Sequence, residues 1–240
     1  NVRLNLNFSG SYNDNTLNEL GEGVSPIIFG LGGDTQRHTE GVALGSYFQP
    51  KIESFSDENG DGLLSPSEVQ VADSATYIDE ARAPVQISAS PSLTLFSDLR
   101  IASQWETRLG HSLFNNNGSF RCLFANNRAA NDANAPLEEQ AACIGSVFLG
   151  TDAGWIQEAD FLRLRELSVS YTLPRELTQR LISARSLSLT LAGRNLGLWT
   201  DYGGLDPENN QFGGGANFAT AEFLTQPPLR YFSARVSVTF

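Results

Sequence analysis

The chain has 240 residues, 40% of them hydrophobic, 10% aromatic and only 18% charged, with a formal net charge of -11. That is too apolar for disorder and lighter in charge than an average soluble domain, and the acidic balance, with no clustered Lys/Arg stripe, excludes a nucleic-acid partner. No apolar run approaches the roughly 18 residues a membrane helix needs, so any bilayer span must be made of strands in a closed barrel, where charge retreats to loops and lumen.

The chain opens on Asn1-Val2-Arg3-Leu4, already alternating and without a secretory leader, as a cut from a longer protein would. Val2, Leu4, Leu6, Phe8, Gly10 and Tyr12 alternate with Arg3, Asn5, Asn7, Ser9 and Ser11, which predicts a strand of membrane-spanning length. The glycine-rich run Phe29 to Gly33 lacks the βαβ context and the following Lys-Ser/Thr of a phosphate loop, so it reads as a connection. A weaker strand is expected near 40–50.

The segment from Asp57 has the spacing of a calcium loop. Asp57, Asn59 and Asp61 occupy positions 1, 3 and 5, Gly62 position 6, Leu63 the carbonyl position, Ser65 position 9 and Glu68 position 12. Calcium is therefore the expected cofactor, in a structural role, with Leu64 packing the loop down. No amphipathic helices flank it, and a bare solvated turn is the other reading.

Val85, Ile87, Ala89, Pro91, Leu93 and Leu95 alternate with Gln86, Ser88, Ser90, Ser92 and Thr94, although Pro91 removes a ladder donor. A tight turn at 96–98 leads to a strand with Leu99, Ile101, Trp105, Thr107 and Leu109 at alternate positions. Residues 114–154 show no periodicity and are expected as one long outer loop. They contain Cys122 and Cys143, an even count that favours a disulfide in oxidising surroundings, two free thiols being the alternative.

In the strand Phe161 to Leu173, the residues Leu167, Val169, Tyr171 and Leu173 share one face, on which Arg163 and Arg165 are also expected, near headgroup level where charge is tolerated. Pro174 opens a short helical turn, and Leu187, Leu189, Leu191 and Gly193 alternate in the next strand. Counted back from a periplasmic terminus, the loops 51–83, 114–154 and 200–228 lie outside, while 13–39 falls on the wrong side for its length.

The last strand places Phe232, Ala234, Val236, Val238 and Phe240 on one face. It resembles the terminal strand of outer-membrane barrels, whose final phenylalanine and alternating apolar residues are read by the barrel assembly machinery.

Two further segments carry a more specific resemblance. Phe161-Leu162-Arg163-Leu164-Arg165-Glu166-Leu167 with Tyr171-Thr172-Leu173-Pro174 is one. Gly193-Arg194-Asn195-Leu196 with Trp199-Thr200-Asp201-Tyr202-Gly203-Gly204-Leu205-Asp206-Pro207-Glu208 is the other. Together with the acidic loop they resemble the C-terminal part of SusC/RagA-like TonB-dependent receptors. That resemblance implies a barrel of about 22 strands with an N-terminal plug, importing a glycan or oligopeptide. It also implies a SusD-like surface lipoprotein as lid, a TonB complex reached through the absent N-terminal part, and outer-membrane lipid around the wall.

The expected fold is thus all-β, about seven antiparallel strands from the C-terminal segment of a large transmembrane β-barrel with long extracellular loops. His38 and His111 lie far apart without a zinc or triad pattern, and Asp206 with Glu208 lacks glycosidase geometry, so an enzyme is not expected. The rival reading is a secreted calcium-binding β-sandwich that binds carbohydrate, whose apolar strand face would be buried in a core.

Overall fold

The computed structural model describes residues 2–213 and 218–240; residue 1 and residues 214–217 of the 200–228 loop lie outside that description. Its main element is one up-and-down antiparallel sheet. The strand segments Val2–Asn5 and Phe8–Tyr12 pair with Ser92–Leu95 and Val85–Ala89, and both of the latter pair with Leu99–Leu109. Phe161–Thr172, Ser186–Thr200 and Tyr231–Thr239 follow in chain order. The two interruptions face each other at Leu6-Asn7 and Ser90-Pro91, where proline cannot donate. Ser90 N–H to the Asn7 carbonyl (2.8 Å) and Ser103 N–H to the Pro91 carbonyl (3.0 Å) carry the ladder across. The eight segments therefore act as six strands.

The register aligns whole rows of one chemistry. Leu4, Leu93, Ile101, Val169, Leu191 and Ala234 stand opposite one another across all six strands. The next row on the other face is Asn5, Ser92, Ala102, Ser168, Ala192 and Ser233. The apolar face is left open, with Leu4 61%, Leu191 53%, Phe232 75% and Val236 63% exposed. Among the described residues no second sheet covers it, which does not favour the β-sandwich reading.

The seven-strand expectation is corrected by the segment near 40–50. Ser46–Gln49 joins Ile27–Phe29, Gln36–His38 and Thr76–Asp79 in a separate four-stranded sheet, and Tyr47 is completely buried in it. With that strand out of the wall, the connections 13–84, 110–160 and 201–230 all leave the same end of the sheet. The short turn at 96–98 and the helix Arg175–Ile182 lie at the other end. The apparent misplacement of 13–39 disappears.

The compact core is also in these connections. Phe114, Trp155, Ile156, Tyr47 and Ala221 pack with the two cysteines, and 114–154 is not a structureless loop. It forms the helices Asn116–Leu123 and Leu137–Ile144, the first capped by the Asn115 side chain accepting from Gly118 N–H (3.0 Å). Cys122 and Cys143 join the two helices as a disulfide, their Cα atoms 5.4 Å apart. Gly118 lies against the Trp155 ring, where a Cβ would come within 2.3 Å of it, so only glycine fits.

Candidate functional site

The polar face of the sheet carries a cluster of paired charges at the loop end, while Arg3, Arg100 and Arg235 share a row of the same face towards the other end. Register between Leu99–Leu109 and Phe161–Thr172 shifts at Gln104/Trp105, leaving Arg165 as an extra residue in a bulge. The bulge reverses face parity. Leu162 and Leu164 now share the apolar face with Leu167 and Val169, and Arg163 moves to the polar face opposite Glu106. The expectation that Arg163 and Arg165 sit on the apolar face is therefore corrected, because strict alternation does not survive a one-residue insertion.

Arg163 is 3% exposed and donates from Nη2 to Asp206 Oδ1 at 2.6 Å, with its Nε 2.9 Å from Glu208 Oε2. Arg165 meets Glu106 Oε2 at 2.9 Å and Glu208 Oε1 at 2.5 Å; Arg108 meets Glu106 at 3.0 Å and Glu208 at 3.3 Å. Three guanidiniums thus face three carboxylates over the buried Phe161 ring, with the arginine Cζ atoms 5.6 to 6.0 Å from its centroid. Arg163 and Arg165 are tied to a loop segment 43 residues farther on, which Arg108 of the neighbouring strand also meets, and that segment is held against the wall.

Beyond the wall, the same loop wraps around Glu222. This carboxylate is fully buried and accepts from Tyr202 Oη–H (3.0 Å), Leu205 N–H (2.9 Å), Asp206 N–H (3.1 Å) and Asn209 Nδ2–H (3.0 Å). Burial and the adjacent carboxylate push the Tyr202 phenol far above its usual range. Glu222 also links the loop to its neighbour through its backbone, its N–H reaching the Phe114 carbonyl (2.9 Å). Tyr47, pushed up to about 12 by burial, donates its hydroxyl to the Thr220 carbonyl (2.7 Å). Between this loop assembly and the wall lies a cleft of ≈ 740 Å³ whose lining includes Asn13, Arg82, Gln86, Arg108, Glu208 and Phe218.

The residues singled out in the sequence fall in three other places. In the Asp57 loop, Asp57 accepts from Gly60 and Gly62 N–H (both 2.8 Å), Asn59 from Asp61 N–H (2.8 Å) and Asp61 from Leu63 N–H (2.8 Å). Glu68 accepts from Glu58 N–H (2.9 Å) and Ser65 N–H (2.7 Å), and Leu64 is buried. The hydrogen bonds from Ser65 hold the Glu68 carboxyl below the usual range. Among the described residues no group of three or more His, Cys, Asp or Glu is arranged to hold a metal ion. Cys122 and Cys143 lie in the loop core, and Phe232, Ala234, Val236 and Val238 lie on the open apolar face, paired with Gly193, Leu191, Leu189 and Leu187. The charged lattice was missed in the sequence, although the spacing from Leu164 to Leu167 records the parity change that creates it.

The architecture agrees with known proteins. No family model matches the chain. It is 24% identical over 215 residues to TonB-dependent receptor P26 of Formosa agariphila, covering 83% of this chain and 20% of that receptor. The RagAB peptide transporter structure covers 100% of this chain and 27% of its own, with TM-score 0.68 and 18% identity. The RagAB peptide importer in its open-open state gives TM-score 0.63 at 19% identity, again covering 100% of this chain and 26% of its own. The chain therefore spans about a fifth to a quarter of the length of these proteins. They are a receptor and importers, not enzymes.

Proposed function

We propose that this chain, which has the fold and sequence pattern of a SusC/RagA-like TonB-dependent receptor segment, forms part of the barrel wall of an outer-membrane nutrient importer. The observation that carries the reading is the six-strand sheet with one apolar and one polar face, all its long connections at one end. A lipid-facing band and a polar lumen require that alternation. The sheet has two open edges, which further strands of a longer receptor would pair. Trp105 and Trp199 stack at 5.8 Å towards the loop end, in keeping with an interfacial aromatic girdle. Tyr171 lies near the other end.

In this reading the nutrient is a glycan or an oligopeptide, a SusD-like lipoprotein covers the loops, and a TonB complex drives transport through parts beyond this chain. The last strand, with Phe232, Ala234, Val236, Val238 and Phe240 outward, is the element the barrel assembly machinery would recognise. We further propose that the Asp57 loop binds calcium through Asp57, Asn59, Asp61, the Leu63 carbonyl and Glu68. The donors are all hard oxygen atoms, as that ion prefers, and the role is to stiffen an outer loop.

Membrane fractionation of cells expressing the full-length protein tests the reading. The protein is expected in the outer membrane, extractable only with detergent, with a heat-modifiable band that weakens when Phe240 is deleted. Recovery as a soluble periplasmic or secreted protein would overturn it.

A further inference from the structure

We infer that the cleft between wall and loops contains a subsite for a carboxylate group of a polar oligomeric ligand, anchored by Arg82; the inference rests on the importer reading above. Four arginines reach this end of the polar face. Arg108, Arg163 and Arg165 are each paired with carboxylates at 3.3 Å or closer, whereas Arg82 takes part in no ion pair among the described residues. In a chain with 27 acidic and 16 basic side chains, Arg82 is a cation that lines the cleft without an ion pair of its own.

Its position is prepared. The Arg82 Cζ lies 4.7 Å from the centroid of the Phe218 ring, and stacking on an aromatic face restrains the planar guanidinium while leaving its N–H fork to a ligand. Asn13 N–H donates to the Pro84 carbonyl (2.8 Å), which fixes Asn13 beside the same segment. Gln86 stands opposite Ser11 and Arg108 on the polar face. The amide groups of Asn13 and Gln86 make no hydrogen bond to described residues and flank the cleft. Glu208, on the lattice side, is held by Arg108 and Arg165 and so does little to cancel the field of Arg82. One uncommitted guanidinium lining the same cleft as two uncommitted amides matches a carboxylate attached to a chain of hydroxyl or amide groups.

A uronate of an acidic oligosaccharide and the terminus of a short peptide both supply that group. The test uses the full-length receptor in detergent, titrated calorimetrically with tetragalacturonate, with maltotetraose, and with tetra-alanine as the free acid and as the C-terminal amide. One carboxylate ligand should bind more tightly than its neutral counterpart. Arg82→Gln should weaken it about tenfold or more, as expected for a charge-assisted hydrogen bond, and Arg82→Lys by less. Arg128→Gln makes the same charge change at an exposed pair with Glu139 and should leave affinity unchanged. Equal affinity of Arg82→Gln and the parent, equal affinity for charged and neutral ligands, or no binding of any probe would each overturn the subsite. Carboxylate-dependent binding in a receptor that supports no uptake would sustain the subsite and count against the importer reading.

Discussion

Arg163 is buried between Asp206 and Glu208, and its removal would leave two carboxylates facing each other without their shared cation. Breaking one side of a buried pair typically costs about 3–5 kcal/mol, so Arg163→Ala should lower the unfolding midpoint and expose the 201–213 segment to limited proteolysis. An unchanged digestion pattern would show that the lattice does not hold the loop. His111 supplies a pH test nearby. It is buried, its Nδ1 lies 3.5 Å from Asp160, and burial lowers its pKa below the ordinary 6.5, with Arg108 adding to the effect and Asp160 and Asp79 opposing it. The unfolded chain therefore takes up the proton first. The loop assembly should lose stability as pH falls below about 6.5 towards the lowered value, and keep it above. Amide exchange at residues 110–114 between pH 7.5 and 5.5 measures this, and a His111→Gln variant should show a flatter profile; identical profiles would contradict the assignment.

At the scale of elements, the wall strands were legible because their period of two is set by the two faces, and each long alternating run proved to be a strand. Alternation failed where the backbone departs from a regular ladder. The bulge at Arg165 reversed the face of Arg163, and Ser46–Gln49 has strand character but pairs outside the wall. The helices at 116–123 and 137–144 are short, and tertiary contacts hold them: the disulfide, Trp155 and Gln140, which donates to the Gly62 carbonyl (2.9 Å) and accepts from Leu64 N–H (2.8 Å). The disulfide closes a separation of 21 residues, for which chain entropy gives a stabilisation of about 3 kcal/mol. Through Gln140 the Asp57 loop is tied to the second helix, so stiffening of the loop should be felt there. Calcium titration of the purified protein should slow proteolysis of both segments in the parent and not in Asp57→Ala or Glu68→Ala. No calcium-dependent change at millimolar concentration would reduce the motif to a turn.

For the whole molecule, the distribution of burial is the reverse of a soluble β-protein. Its compact core lies among the connections, while the largest sheet leaves its apolar rows uncovered. An open apolar sheet in water invites aggregation, and the proposed lipid cover and edge pairing would remove that liability. Length and composition required only that any bilayer span be made of strands, whereas the partition of strands between wall and loop assembly depends on long-range pairing that no local window contains. The most direct test is a nitroxide scan of the full-length protein in bilayers, with cysteine placed in turn at Leu167, Ser168, Val169, Ser170 and Tyr171. Labels at 167, 169 and 171 should collide preferentially with oxygen dissolved in the lipid, and those at 168 and 170 with a water-soluble nickel chelate. A scan without that two-residue alternation, or with the chelate reaching both sets equally, would contradict the assignment of one face to lipid and the other to the lumen.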